Sequence, residues 1–152
     1  MAQVKLIECP RDAMQGIKEF IPTEKKAQYI QSLLRCGFDT IDFGSFVSPK
    51  AIPQMQDTAD LLSRLDLSKT QSKLLAIVAN TRGAQDASAF EEIDYLGYPF
   101  SISENFQMRN THKTISESVE VLKEILDVAN SCNKQVVAYL SMGFGNPYGD
   151  PW

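Results

Sequence analysis

An arginine and an aspartate stand side by side at Arg11-Asp12, just after a short β-branched run that ends at Cys9-Pro10. A guanidinium and a carboxylate placed past the end of a strand can enter the same cavity. The guanidinium can stabilise an enolate or carboxylate oxygen, and the carboxylate can bind a hard divalent cation. The alternative is a local surface ion pair, which contributes little to stability. Taken alone, the pair favours that alternative.

Two further polar residues lie where they could join this pair. Gln15 follows Arg11 by about one helical turn and could orient the guanidinium or a substrate oxygen, or it could be solvated. Asp42 lies in the apolar segment Ile41-Asp42-Phe43, where an unpaired carboxylate would be costly to bury. Arg11 is its natural partner, either in a functional site or in a structural pair of the core.

Other candidate groups follow the second and third predicted strands. The loop from Ser45 to Lys50 offers hydroxyls and an amine that could bind phosphate or carboxylate, although Ser48-Pro49 is also ordinary turn chemistry. Asn80 could bind substrate through its amide or cap the next helix, and capping is the commoner role. His112 is the only histidine, and we expect it to be exposed and non-catalytic.

The elements that must position these residues alternate along the chain. Apolar runs predict strands at 4–8, 39–45, 73–79, 92–100 and 135–140, and helical periodicity predicts helices at 23–37, 53–65, 80–90 and 114–129. Thr23 is a predicted N-cap, and Thr114 with Glu117 predicts a capping box. This βα order indicates parallel strands joined by right-handed crossovers.

Two α/β architectures fit that order. A doubly wound sheet usually carries a Gly-rich phosphate loop after its first strand, and this chain has Pro10-Arg11-Asp12 there instead. A barrel places functional residues at the carboxyl ends of several strands, as here. A complete eight-stranded barrel takes about 250 residues. The 152 residues therefore favour (β/α)8-type repeats of about five strands and four helices, which is too few for a complete barrel.

Composition excludes several classes of protein. With 22% charged and 43% hydrophobic residues the chain is an ordinary globular sequence, and its net charge of −4 argues against a nucleic-acid partner. No apolar run approaches the roughly 18 residues of a membrane span, and no signal peptide is evident, so we expect a cytoplasmic protein without a membrane partner. Three widely spaced cysteines without a CxxC predict small buried side chains rather than disulfides or zinc ligands.

Several segments resemble one enzyme family. The stretch Pro10-Arg11-Asp12-Ala13-Met14-Gln15 resembles the first-strand motif PRDGLQ of the hydroxymethylglutaryl-CoA lyases, and Ser45–Lys50 with Ile52–Met55 resembles their SFVSPKxxPQM segment. The end of the fifth strand, from Ser141 to Tyr148, is similar to their S-x-x-x-G-x-PY. The resemblance spans the whole chain and about the first half of the family's barrel, which implies that residues 1–152 are the N-terminal part of a single, here incomplete, (β/α)8-type barrel domain.

The resemblance implies a TIM-barrel metallolyase that uses Mg²⁺ or Mn²⁺ and an acyl-CoA substrate. Members of the family cleave 3-hydroxy-3-methylglutaryl-CoA to acetyl-CoA and acetoacetate by a retro-Claisen step. By the same resemblance Asp12 is a metal ligand and Arg11 stabilises the enolate. Asp42 takes the place of the family's second-strand glutamate, and Gln15 supports the site. Ser45 and Asn80 line the substrate pocket.

The chain departs from the family pattern in ways that leave alternatives open. Asp42 is one methylene shorter than the family's glutamate, and the H-x-H pair and the late Cys-bearing loop are absent from this sequence. We therefore expect this chain by itself to be inactive. One alternative is a related Claisen-condensing or carboxyltransferase barrel. Another is a non-catalytic half-barrel that associates, with its own copies or with a partner, through open edges at strands one and five.

Overall fold

A computed structural model describes residues 4–151. Five parallel strands form one curled sheet, and their order in the sheet is their order in the sequence. Each strand therefore hydrogen-bonds its neighbour in the chain, with helices in every connection, which confirms the predicted incomplete barrel. The strands are β1 (Ile7–Glu8), β2 (Thr40–Ser45), β3 (Lys73–Ile77), β4 (Tyr95–Ser101) and β5 (Gln135–Ser141).

Within residues 4–151, six α-helices and one 3-10 turn accompany these strands, where the sequence predicts four helices. They are α1 (Pro10–Gln15), α2 (Thr23–Leu33), α3 (Thr58–Ser63), α4 (Thr81–Ser88), α5 (Glu104–Thr111) and α6 (Ile115–Ser131), with the 3-10 turn at Pro53–Met55. The two additional helices, α1 and α5, follow β1 and β4 directly and are too short to show clear periodicity. The helix predicted at 53–65 is instead the 3-10 turn followed by α3.

The hydrophobic core lies between the sheet and its helices. Ile41 and Phe43 of β2 and Leu74 of β3 belong to it, packed with helix residues such as Ile30 and Ile125. Leu75 and Ile77, which alternate with these residues along β3, are also buried but lie outside this cluster, so they face the inner side of the curled sheet. A strand covered on both faces explains why β3 is an almost continuous apolar run.

A bulge in β2 sets which side chains face the barrel interior. Asp42 is in register with Leu75, whereas Gly44 pairs with Ala76 and Ser45 with Ile77. The extra residue lets Asp42 and Ser45, three positions apart, lie on the same inner face. Gly44 faces outward, where a Cβ would lie only 2.5 Å from Thr58 Cγ2. A larger residue there would displace the strand that carries Asp42.

The helix caps agree with the sequence at two of three positions. Thr114 and Glu117 form the predicted capping box of α6. Asn80 caps α4 by accepting a hydrogen bond from the Gly83 amide at 2.8 Å. The predicted N-cap at Thr23 is wrong, because Thr23 is already the first helical residue, and its hydroxyl donates to Asp57 at 2.6 Å.

The cysteines lie in less protected positions than the sequence predicts. Cys36 and Cys132 are exposed, and Cys9 is only partly buried, so the expectation of three buried small side chains is wrong. All three sit at or near helix ends, where the backbone turns toward solvent. His112 is exposed, as expected, and ends α5 in the left-handed conformation with φ 56°. Among residues 4–151, no helix combines the length and apolarity needed to cross a membrane.

Candidate active site

A buried ion pair between Arg11 and Asp42 joins the first turn of α1 to the middle of β2. Arg11 Nε donates to the two Asp42 carboxylate oxygens at 3.1 and 3.2 Å, and Nη2 donates to Oδ2 at 2.6 Å. The Asp42 side chain is fully buried, and that of Arg11 is 10% exposed. The pairing that the sequence favours is therefore present, and the shorter aspartate reaches the guanidinium.

Burial and ion pairing have opposite effects on the pKa of the Asp42 carboxyl group. Burial raises the pKa of Asp42 above its ordinary value, while the hydrogen bonds and the charge of Arg11 oppose that rise. Burial also disfavours the charge on Arg11, but the hydrogen bond and charge of Asp42 prevail and raise the pKa of the guanidinium. A buried ion pair is an expensive way to stabilise a fold, so its presence in a barrel mouth suggests a task beyond packing.

The outer nitrogen of the guanidinium belongs to a second set of contacts. Arg11 Nη1 donates to Gln15 Oε1 at 2.8 Å and to Asp12 Oδ1 at 3.1 Å, and Gln15 Nε2 donates to the same Asp12 oxygen at 3.2 Å. A guanidinium has five N–H groups. These contacts occupy both N–H groups of Nη1, and Asp42 accepts from the Nε–H and from one N–H of Nη2. One Nη2 N–H of Arg11 remains for another oxygen.

Asp12 is the exposed carboxylate of this cluster. Its side chain is 64% exposed, in contrast to that of Arg11. Among the described residues, no three histidine, cysteine, aspartate or glutamate side chains come together as a metal site would require. A single carboxylate holds Mg²⁺ only weakly, since hard cations need several oxygen ligands. The described part of the chain therefore does not by itself fit a resident divalent cation.

Ser45 and Asn80 meet at the carboxyl ends of β2 and β3. They line a cavity of about 430 Å³ together with the loop after β2 and the first turns of α4. The Ser45 hydroxyl donates to the Ile77 carbonyl at 3.4 Å and accepts from the Val47 amide at 3.1 Å. The Asn80 amide oxygen is committed to the α4 cap. Both residues thus shape this cavity, and contact with substrate remains a prediction for each.

Tyr139 faces the barrel interior from β5, and no motif in the sequence indicates it as a site residue. Its ring lies over Gly97 of β4, and a Cβ on that glycine would stand 3.2 Å from Tyr139 Cε2. Burial, together with the negative charge of Asp42, raises the pKa of the Tyr139 phenol. Period-two alternation in β5 places Tyr139 on the same face as Ser141, and that signal could have identified it.

Cys9 lies two residues before Arg11 and therefore close to the pair, and no sequence motif indicates it as a site residue. It precedes α1 and is partly buried. Burial, together with the negative charge of Asp42, raises the pKa of the thiol despite the opposing charge of Arg11. A thiol with a raised pKa is a poor nucleophile near neutral pH, so Cys9 is a neighbour of the site and not a reacting group.

A second cavity, of about 630 Å³, lies at the opposite ends of the strands. The first residues of β3, β4 and β5 line it, and the ion pair of Lys73 with Asp94, at 2.9 Å, lies at its edge. None of the site residues predicted from the sequence borders this cavity. In parallel α/β barrels the active site lies at the carboxyl ends of the strands. The greater volume of this second cavity therefore does not identify it as the functional site.

No family model matches the chain, but individual proteins are similar to it in sequence and in fold. A hydroxymethylglutaryl-CoA lyase of Bacillus subtilis is 37% identical over 139 residues, which is 91% of this chain and 46% of that protein. The chain thus spans about half the length of the curated relatives that it matches.

Solved structures of hydroxymethylglutaryl-CoA lyases are similar to this chain in fold, again over about half of their own length. A Bacillus subtilis hydroxymethylglutaryl-CoA lyase superimposes with a TM-score of 0.91 at 35% identity, over 99% of this chain and 50% of that one. A lyase from Acinetobacter baumannii, in complex with coenzyme A and 3-methylmalate, has a TM-score of 0.87 at 29% identity, over 95% of this chain and 47% of that one. The similarity in sequence and in fold extends along nearly the whole chain.

Proposed function

We propose that this chain, which is homologous over nearly its whole length to the hydroxymethylglutaryl-CoA lyases, supplies the N-terminal part of a (β/α)8-type barrel lyase. The reaction is the cleavage of 3-hydroxy-3-methylglutaryl-CoA to acetyl-CoA and acetoacetate. The substrate is an acyl-CoA, and the coenzyme A in the Acinetobacter baumannii relative supports that choice. Residues 1–152 then belong to a single barrel domain.

The single observation that carries the proposal is the unused N–H of Arg11, held at the barrel mouth by Asp42. In the reaction the 3-hydroxyl loses its proton and becomes the ketone of acetoacetate as the carbon–carbon bond next to it breaks. The bonding electrons move toward the thioester carbonyl, whose oxygen becomes an enolate. A preorganised guanidinium N–H stabilises that developing charge, and protonation of the enolate carbon then gives acetyl-CoA.

The neighbours of Arg11 hold it for this task. Asp42 accepts hydrogen bonds from the Nε–H and from one N–H of Nη2, and this fixes the plane of the guanidinium. Gln15 and Asp12 take both N–H groups of Nη1. The second N–H of Arg11 Nη2 is therefore held in a fixed orientation. Because the guanidinium is already immobilised, Arg11 loses little side-chain entropy when substrate binds. In this proposal Ser45 and Asn80 line the acyl-CoA pocket.

Asp12 is proposed as one ligand of a Mg²⁺ or Mn²⁺ ion. When bound, such an ion would act as a Lewis acid on a substrate oxygen. The chain has one histidine, and residues 4–151 contain no cluster that could complete the coordination. The remaining ligands must therefore come from outside this chain, and the 152 residues alone are expected to be inactive.

Release of acetyl-CoA from 3-hydroxy-3-methylglutaryl-CoA with Mg²⁺ tests this function. The assay uses the chain alone and mixed with the complementary half of the Bacillus subtilis barrel. We expect turnover in the mixture only, with a loss of about a hundredfold or more in Arg11→Lys, because an ammonium cannot hold the forked contacts. Arg35→Lys, an exposed arginine away from the site, should be unaffected.

Other results would contradict the proposal. A mixture that assembles without releasing acetyl-CoA would overturn the lyase function. Condensation of acetyl-CoA with a 2-oxo acid by the same mixture would favour a Claisen-condensing barrel. Turnover by the chain alone would show that it needs no ligands from elsewhere.

A further inference from the structure

Gln54, in the 3-10 turn before α3, holds the backbone that follows α1. Its side-chain amide accepts a hydrogen bond from the Ile21 amide at 2.9 Å. The same amide donates to the Ile17 carbonyl at 3.0 Å and to the Glu19 carbonyl at 2.9 Å. Gln54 is only 3% exposed, and residues 16–22 belong to no helix or strand. One buried side chain therefore supplies hydrogen bonds that a regular element would otherwise give to this loop.

Lys26, in the first half of α2, holds Gln54 in turn. Its side chain is fully buried, and Nζ donates to the Gln54 carbonyl and to Asp57 Oδ1, the latter at 2.7 Å. Asp57 Oδ2 also accepts from the Thr23 hydroxyl at 2.6 Å. The amine lies 4.2 Å from the ring centroid of Phe20, in the loop that Gln54 holds. A buried charge is costly unless it is paired. Here the paired charge joins α2, the 3-10 turn and the loop after α1.

The loop that Gln54 holds begins directly after the helix that carries Arg11. That helix, α1, has six residues, and its N-cap residue Cys9 makes no side-chain capping bond. So short a helix has little stability of its own, so its position depends on the groups that hold its ends. Its last residue, Gln15, accepts from Arg11 Nη1 at 2.8 Å. The helix also packs against the 3-10 turn. Loosening the loop would therefore loosen the end of α1 that contacts the guanidinium.

We propose that Gln54 is a positioning residue, which fixes the C-terminal end of α1 through the loop at 17–21 and so keeps Arg11 in place against Asp42. Lys26 strengthens this hold because it fixes the backbone of Gln54. The consequence for catalysis rests on the proposed function, in which Arg11 contacts the substrate. The hold on Arg11 is a property of the fold and is the same whatever the reaction is.

The Arg11 side-chain signals in ¹⁵N–¹H spectra of the 152-residue chain test this hold. Gln54→Met removes all three hydrogen bonds to the loop and keeps a side chain of similar size. It should shift the Arg11 Nε–H signal and speed its exchange with solvent about tenfold, because the end of α1 opens more often.

Gln31→Met is the matched control. The Gln31 amide also holds a loop, since it accepts from the Asp66 amide at 2.8 Å and donates to the Asp66 carbonyl at 3.0 Å. That loop joins α3 to β3 and lies at the amino ends of the strands, on a more exposed surface. The substitution should leave the Arg11 signal and its exchange unchanged. An equal change of the Arg11 signal in both variants would overturn the proposal, as would an unchanged signal in a folded Gln54→Met chain.

A second measurement uses the native chain and does not depend on the folding of any variant. Hydrogen exchange at increasing urea concentration compares the Ile21 amide with Arg11 Nε–H. If the loop holds α1, the two should exchange through one shared opening, and their rates should rise together with urea. An Ile21 amide that opens at low urea while Arg11 stays protected would contradict the proposal. Neither experiment uses substrate, so their results and those of the acetyl-CoA release assay are judged separately.

Discussion

Arg11 and Asp42 illustrate how one buried ion pair can cost stability and still be retained. The pair removes two charges from water, and burial works against the ionised form of both partners. Its geometry, with contacts from Nε and Nη2 of the guanidinium, recovers much of that cost. At the scale of a single residue, the result is a guanidinium whose orientation is fixed before any ligand arrives.

Asp42→Asn should destabilise the chain by about 3 kcal/mol in urea denaturation, because the Arg11 charge would be left buried without a counterion. Asp60→Asn is the matched control. Asp60 also contacts an arginine, Arg64, at 3.0 Å, but both side chains are about half exposed, so its loss should cost no more than about 1 kcal/mol. Equal effects of the two substitutions would contradict the view that burial decides the cost.

Among the elements, α6 is the helix whose start is most completely specified by its local sequence. The Thr114 hydroxyl accepts from the Glu117 amide at 3.1 Å, and the Glu117 carboxylate accepts from the Thr114 amide at 2.8 Å. Both bonds join residues three apart, so they need no tertiary partner. The hydrogen bonds from the Thr114 amide and hydroxyl lower the pKa of Glu117.

This lowered pKa predicts a pH dependence of stability. A carboxylate whose pKa is lower in the folded state stabilises the fold above its unfolded value, which is near 4.5, and loses that effect as pH falls through the folded value. Glu117→Gln should therefore melt at a lower temperature than the native chain at pH 7, with a difference that shrinks steadily below about pH 4.5.

Glu120→Gln gives the control for that series. Glu120 lies on the same helix and contacts Lys123 at 2.8 Å on an exposed face, away from the cap. Its substitution should change the melting temperature little across the same range of pH. A constant difference between Glu117→Gln and the native chain from pH 7 to pH 3 would refute the role of the ionised cap.

For the whole molecule, the open sheet is the dominant feature. Among residues 4–151, β1 and β5 each have a strand on one side only, and β5 presents seven residues along its free edge. Leu140, in β5, is 64% exposed, and Phe144, just beyond it, is 98% exposed. A long free edge with apolar side chains favours pairing with another chain.

We expect the 152-residue chain to self-associate, with a mass by light scattering well above 17.0 kDa. Leu140→Lys should shift the mass toward that of the monomer, since a charge on an edge strand opposes pairing. Leu126→Lys, on α6 and 40% exposed, should not. A strictly monomeric native chain at its highest soluble concentration would refute association through the edges.

The sequence alone determined the elements whose causes are local. The apolar runs of β3 and β5 and the capping box at Thr114 depend on neighbouring residues, so their types and order could be predicted. The alternating order of strands and helices, together with the chain length, then predicted an incomplete parallel barrel. Motif resemblance pointed to the hydroxymethylglutaryl-CoA lyases, because the segment Ser45–Met55 is long and specific.

Only the tertiary structure decided how these parts meet. The bulge in β2, which puts Asp42 and Ser45 on one face, depends on pairing with β3. The position of the Tyr139 ring over Gly97 depends on the pairing of β4 with β5 and on the missing side chain of the glycine. Exposure of Cys36 and Cys132 likewise depends on which helix ends turn toward solvent. Contacts of this range are set by packing and register, which no local pattern in the chain encodes.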